Sequence, residues 1–268
     1  MTVAVGKPGP DVTTTDGHRL TSRMLGDDAA PIVILQHGVG SSVTFLVEAI
    51  APPLVAAGWC VVAADLRGHG DASPVVDVAS YSLSLLAADV GALVAATGAA
   101  ACGGVSLGGH AAVAAAVAGL VDDTRLVAAL PAWLGPSLPG VGAHALVADE
   151  VRRVGVAGML ARLVAETGLP AWLHTVLLRD LAASDPASLE AALQALDGGV
   201  APTLDEIATL PLGLGVVSWP DDPGHPVAVA RAWAKAAAGS NHVTLALSDL
   251  DDRPHALGRA MLIALGNP

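Results

Sequence analysis

A serine with a glycine two residues away on either side carries the clearest chemistry in this chain: Gly104-Val105-Ser106-Leu107-Gly108. An apolar Ala/Val run precedes it and a small-residue helical run follows it. That context suits a nucleophile on a tight strand-to-helix turn, with its hydroxyl projecting past the sheet edge and a helix N-terminus aimed at it. Glycines at the two flanking positions remove the Cβ atoms that such a turn would force together. A serine hydroxyl is a weak nucleophile at neutral pH and needs an adjacent base and an orienting acid. Two later polar loops offer them, Trp219-Pro-Asp-Asp-Pro-Gly-His-Pro226 and Ser248-Asp-Leu-Asp-Asp-Arg-Pro-His255. A Gly-rich loop, Gln36-His37-Gly38-Val39-Gly40-Ser41-Ser42, can present backbone N–H groups to a developing oxyanion.

The elements that would position these residues alternate. Apolar strand-like runs are predicted at 31–36, 60–64, 101–105, 125–130, 212–218 and 243–247, with helices over about 44–58, 81–97, 107–119, 227–237 and 256–265. Residues 11–25 read as a polar hairpin turning at Asp16-Gly17. Between 136 and 206 the periodicity is helical, punctuated by Pro170, Asp185-Pro186 and Gly198-Gly199. The alternation predicts a doubly wound α/β fold with a mostly parallel sheet, in which ligands bind beyond the carboxyl ends of the strands. All four polar loops follow strands.

Composition excludes several classes. The 268 residues carry a net charge of −12, which argues against nucleic acid and an anionic membrane face as partners. Val90 to Val121 lacks charged residues, but glycines and Ser106 interrupt it, so a helix, a buried strand and a second helix explain it better than a membrane span. The N-terminus has no basic region followed by an apolar core, so a cytoplasmic location is expected. Cys60 and Cys102 do not make a disulfide framework and read as core residues. His18, His69, His144 and His174 have no partners at metal-ligand spacing, and G-x-G-x-x-G is absent at the serine, so neither metal nor cofactor is predicted. His110 reads as a packing or capping residue, and His37 as a brace for its loop.

The order Ser, Asp, His, each beyond a strand, resembles the α/β-hydrolase superfamily. So do the His37-Gly38 loop, the Asp65-Leu-Arg-Gly-His-Gly-Asp-Ala-Ser73 segment and the Asp-Asp-Pro-x-x-Pro run at 221–226. The resemblance spans essentially the whole chain. It implies an eight-stranded sheet with Ser106 after the fifth strand, a core over 1–135 and 207–268, and a helical cap over 136–206 after the sixth strand. Asp65 and Arg67 would brace neighbouring turns. The implied triad is Ser106, Asp222 and His255, with Asp221 as the rival acid, since the family's acid commonly lies four residues before a proline. His225 is a rival base but lies only three residues from Asp222 and would need a looping geometry; His242 falls at the wrong end of its strand. The expected oxyanion donors are the N–H groups of Val39 and Leu107, and His37, Gly38, Trp133 and Trp219 are expected to shape the pocket.

Ser at position 106 favours acyl transfer to water, from a small-to-medium, largely apolar ester, lactone or thioester. It argues against the dehalogenases and epoxide hydrolases of this fold, which resemble the chain but use Asp there. Acyl transfer to another acceptor and C–C bond hydrolysis share the same triad and stay open. A non-catalytic ligand-binding protein on this fold is the third reading, and it gains if the His255 ring lies far from Ser106.

Overall fold

In a computed structural model, the protein is described over residues 6–135, 143–166, 168–196, 199–220, 222, 224–250, 253 and 255–268. The strands are β1 (Lys7–Pro8), β2 (Val12–Thr13), β3 (Arg19–Leu20), β4 (Ser22–Leu25), β5 (Ile32–Gln36), β6 (Cys60–Ala64), β7 (Ala101–Val105), β8 (Arg125–Ala129), β9 (Leu214–Ser218) and β10 (Asn241–Thr244). The helices are α1 (Val43–Phe45), α2 (Ala51–Ala56), α3 (Leu83–Thr97), α4 (Leu107–Val117), α5 (Ala143–Ala165), α6 (Ala171–Ala183), α7 (Pro186–Ala195), α8 (Leu204–Ile207), α9 (Val227–Ala236) and α10 (Ala256–Leu265).

Eight strands form one sheet in the order β1-β4-β6-β5-β7-β8-β9-β10. β5 to β10 pair in parallel, whereas β4 and β1 join antiparallel at one edge. The expected doubly wound, mostly parallel sheet is thus observed, and β7 is its fifth strand in chain order. The polar hairpin is also present as the separate β2–β3 pair. The predicted final strand sits two residues early, because 247–250 turns into a 3-10 helix. The expected helix at 44–58 is broken into α1, a π-helical turn at Leu46–Ile50, and α2.

The sheet is apolar on both faces, which is why its inner strands read as continuous hydrophobic runs. Along β5, Ile34 packs into one core with α3 and α4, while Val33 and Leu35 pack into the other with α2 and α10. Cys60 and Cys102 are free and buried; burial pushes the Cys102 thiol up to about 12, so it behaves as a small hydrophobe. The chain between β8 and β9 carries α5 to α8, and α5 is broken at Gly155 (φ 67°, ψ 178°).

The strand order reverses at β5. The chain leaves β5 toward β6 on one side and leaves β7 toward β8 on the other, which opens a crevice beyond their carboxyl ends. The Asp65–Ser73 segment lies beside it and is built on buried charge. Arg67, 1% exposed, forks onto Asp89 (Nε–Oδ2 2.8 Å, Nη2–Oδ1 2.6 Å) and reaches Asp16 (2.9 Å). Asp65 accepts from the Val43 amide (2.8 Å), Thr21 Oγ1 (2.9 Å) and the Asp71 amide (3.2 Å). Burial pushes the Asp89 carboxyl above its usual range despite Arg67. Arg67→Met leaves that carboxylate buried without its partner and is expected to lower unfolding free energy in urea by about 3–5 kcal/mol. Arg67→Met/Asp89→Leu should recover most of the loss; a double variant no more stable than the single would show that the pair is not the cause.

Candidate active site

Ser106 sits between β7 and α4 with φ 51° and ψ −117°, a backbone conformation that costs a non-glycine residue roughly 1–3 kcal/mol. The turn is pinned on both sides: the Ser106 amide donates to Ala129 O (2.8 Å) and the His110 amide donates to Ser106 O (3.0 Å). The flanking glycines are required because β7 and α4 press against the end of β5. A Cβ on Gly104 or Gly108 would overlap the Gln36 carbonyl oxygen. His110 packs as expected, stacked on Trp133 at 4.0 Å between centroids, with Nε2 accepting from the Ala132 amide (2.9 Å).

A single polar line runs through the serine. Ser106 Oγ lies 2.9 Å from His225 Nε2, and His225 Nδ1 lies 2.6 Å from Asp222 Oδ2. Burial raises the Asp222 carboxyl, but the His225 hydrogen bond and charge and the Gly224 and His225 amides outweigh it and hold the group below its usual range. An ionised Asp222 accepts from Nδ1–H, which leaves the Nε2 lone pair for the serine hydroxyl.

The structure therefore brings Ser106 and Asp222 together but puts His225, not His255, between them. His255 occupies the N-cap position of α10 without a side-chain cap hydrogen bond; among the described residues its buried Nδ1 has no hydrogen-bond partner, and the residue is outside the cavity lining. The looping geometry that His225 requires is supplied by a turn. The His225 amide donates to Asp222 O (3.3 Å), and the Gly224 amide donates to Asp222 Oδ1 (2.7 Å). Such a turn brings residues i and i+3 onto one side, and the aspartate side chain closes it by bonding the backbone two residues on. The rival acid Asp221 lies outside the described residues. His242 bonds Ser218 Oγ (2.8 Å) instead of entering the line.

The loop after β5 passes next to the serine. A Cβ on Gly38 would lie 3.2 Å from Ser106 Cβ, so glycine is what permits the approach. Among the described residues, no acceptor takes the Val39 or Leu107 amides, the two expected oxyanion donors. Two imidazoles hold the loop. His37, fully buried, donates from Nδ1 to Gly38 O (2.7 Å) and accepts from the Leu66 amide at Nε2 (3.1 Å). His69 donates from Nδ1 to Arg67 O (3.0 Å) and accepts from the Gly40 amide at Nε2 (3.2 Å). His37 thus works behind the loop and does not line the pocket, contrary to expectation.

Gly38, Val39, Ser106, Trp133, Trp219, Asp222 and His225 line a cavity of about 390 Å³, together with Phe45, Leu130 and leucines of α6 and α7. Among the described residues, its lining contains no lysine or arginine. Leu130, just after β8, shares positive φ (58°) with Ser106 and Asp123 among the described non-glycine residues. Nothing in the sequence marked it or the bracing role of His69. Among the described residues, no group of three or more His, Cys, Asp or Glu could hold a metal, and no helix is long and apolar enough to cross a membrane.

With the strand order and elbow in place, comparison with known proteins agrees. The model of the alpha/beta hydrolase family matches residues 32–259. The chain belongs to the alpha/beta hydrolase family. By family it is a hydrolase. Among curated proteins it is 34% identical over 86 residues to epoxide hydrolase A from Mycobacterium tuberculosis, a match covering 32% of this chain and 26% of that protein. Among solved structures it is similar to a hydrolase from Pseudomonas aeruginosa PA01 (TM-score 0.77, 23% identity, 98% of this chain and 99% of that one). It is also similar to the enol-lactonase from Burkholderia xenovorans LB400 (TM-score 0.77, 21% identity, 96% and 99%). At these identities the structural likeness shows the shared fold.

The loop brace has a pH signature. Burial, helped by the nearby His37 ring, pushes the His69 imidazole from 6.5 down to about 4. Below pH 6.5 the unfolded chain takes up a proton that the folded protein refuses until about pH 4. This group therefore removes up to about 1.4 kcal/mol of stability per pH unit across that window. Since His69→Gln removes the titration, the stability gap between wild type and variant, measured in urea, should narrow from pH 7 to pH 4. A constant gap would mean that His69 is not buried neutral.

Proposed function

We propose that the protein is a serine hydrolase that cleaves a small-to-medium, uncharged and largely apolar carboxylic ester, lactone or thioester through an acyl-enzyme on Ser106. The observation that carries this reading is the continuous line from Asp222 Oδ2 through the His225 ring to Ser106 Oγ at a strained strand-to-helix turn. His225 Nε2 takes the hydroxyl proton as Oγ attacks the carbonyl carbon, and Asp222 stabilises the imidazolium. The Val39 and Leu107 amides receive the oxyanion. Collapse of the tetrahedral intermediate breaks the bond to the leaving group, to which His225 returns the proton. Water, deprotonated by His225, then attacks the acyl-enzyme; as the bond to Ser106 Oγ breaks, His225 passes that proton to Oγ, which releases the acid and restores Ser106.

The cavity supports the substrate class. A cavity of about 390 Å³ lies in the lower part of the range of small-molecule pockets. An anionic acyl group would meet Asp222 and no cation of the lining. Within this reading, α5 to α7 serve as the cap, since Val147, Leu173, Leu177 and Leu193 close the cavity above Ser106. Ester chemistry is favoured over epoxide opening because Ser106, not a carboxylate, occupies the elbow. The binding-protein reading rested on a displaced His255, and His225 supplies a base without it. A cytoplasmic location is part of the proposal, supported by two free cysteines.

Turnover of p-nitrophenyl butyrate tests the assignment. Ser106→Ala and His225→Ala are each expected to lose at least ~10³-fold in kcat, while His255→Ala stays near wild type. A fluorophosphonate probe should label Ser106 in wild type. Activity that survives Ser106→Ala would refute the serine mechanism, and loss on His255→Ala with retention on His225→Ala would return the base to the last loop.

A further inference from the structure

We infer that Asp180 is a positioning residue for the oxyanion donor on Val39, acting from helix α6 through the hydroxyl of Ser41; the inference rests on the serine-hydrolase reading above. The loop after β5 turns back on itself, with the Ser41 amide donating to Gly38 O (3.2 Å), so the Val39 amide lies inside that turn. Three of its anchors come from the core: His37 at Gly38 O, His69 at the Gly40 amide and Asp65 at the Val43 amide. The fourth comes from the helices between β8 and β9. Ser41 Oγ donates to Asp180 Oδ2 at 3.0 Å, and both residues are buried, at 7% and 4% exposure.

The bond is charge-assisted and fixed at both ends. Asp180 Oδ1 accepts from Arg179 Nε (2.9 Å), and Arg179 Nη1 reaches Glu48 Oε2 (2.8 Å) on the π-helical turn that follows the loop. Arg179 therefore holds one carboxylate oxygen and leaves the other for Ser41. An ionic acceptor in a buried setting bonds a hydroxyl about twice as strongly as a neutral one. Since an aspartate is not needed to dock an apolar helix face, this side chain serves the loop it holds. The arrangement makes the oxyanion site depend on the seating of α6, whose Leu173 and Leu177 also line the cavity. The same helix thus bounds the acyl group and aims the donor that stabilises its transition state.

The experiment compares Ser41→Ala, Asp180→Asn, their double variant and Ser184→Ala. Ser184 Oγ bonds the Asp180 main-chain oxygen (2.8 Å), so its loss loosens the end of α6 and spares the carboxylate. With p-nitrophenyl butyrate, Ser41→Ala and Asp180→Asn are expected to lower kcat by about tenfold with KM nearly unchanged, since small misplacements cost this much or more. The double variant should fall no further than the worse single. The Ki of butylboronic acid, whose Ser106 adduct places an oxygen in the oxyanion site, should rise in parallel. Ser184→Ala should keep wild-type kcat whatever its Tm. Wild-type kcat and Ki in Ser41→Ala and Asp180→Asn overturn the inference if Ser106 still reacts with a fluorophosphonate. So does a kcat loss that follows Tm in Ser184→Ala as well. An unlabelled Ser106 in wild type instead removes the serine mechanism beneath it.

Discussion

The strained turn at Ser106 is the constraint on which the rest of the site depends. A non-glycine residue persists at φ 51° and ψ −117° only where its surroundings over-determine it. Here the sheet supplies that determination. β8 takes the Ser106 amide, α4 returns a hydrogen bond to its carbonyl, and the end of β5 presses on the backbone at Gly104 and Gly108. Such contact demands that β5 and β7 be neighbours, which the strand order provides. The same adjacency brings the loop after β5 alongside the serine. The proposed nucleophile and oxyanion loop therefore share one packing solution, and neither can be displaced without the other.

Around this centre the polar groups of the Asp65–Ser73 segment act as scaffolding. Arg67, Asp65 and His69 make no chemistry of their own. They carry the loop that holds Val39, and they do so from the buried interior, where an unsatisfied group is costly. That cost gives the segment its rigidity: each of these side chains has few arrangements that satisfy it. His69 stays neutral because it is buried and its ring nitrogens divide into one donor and one acceptor, each matched to a backbone group.

Much of this was legible in the sequence. The continuous apolar runs at β5, β6 and β7 announce strands buried on both faces, and the glycines around Ser106 announce a turn with no room for Cβ atoms. Asp222 and Ser106 were legible because each follows such a strand. The base was not. Its position depends on a turn of four residues, and turn geometry depends on hydrogen bonds that strand and helix periodicity does not encode. The local signal was present as an aspartate, a glycine two residues on and a histidine three residues on. A reading that looks for the base beyond the last strand passes over it. The Ser41–Asp180 bond was less accessible still, because it joins residues 139 positions apart.

Placing the proposed acid and base in one turn changes what the sheet must do. Were the base beyond β10, its aim would depend on an edge strand paired on one side and only partly buried. With Asp222 and His225 in one turn, their mutual geometry is set by three local hydrogen bonds: Gly224 N to Asp222 Oδ1, His225 N to Asp222 O, and the His225 ring to Asp222 Oδ2. The sheet then has to deliver only the end of β9 to the neighbourhood of Ser106. β9 is fully buried and pairs directly with β8, whose last residue already takes the Ser106 amide. The alignment of the proposed base and nucleophile thus rests on the register of two adjacent inner strands. This is a tighter coupling than an edge strand offers, and it leaves His255 free to serve as the N-cap residue of the last helix.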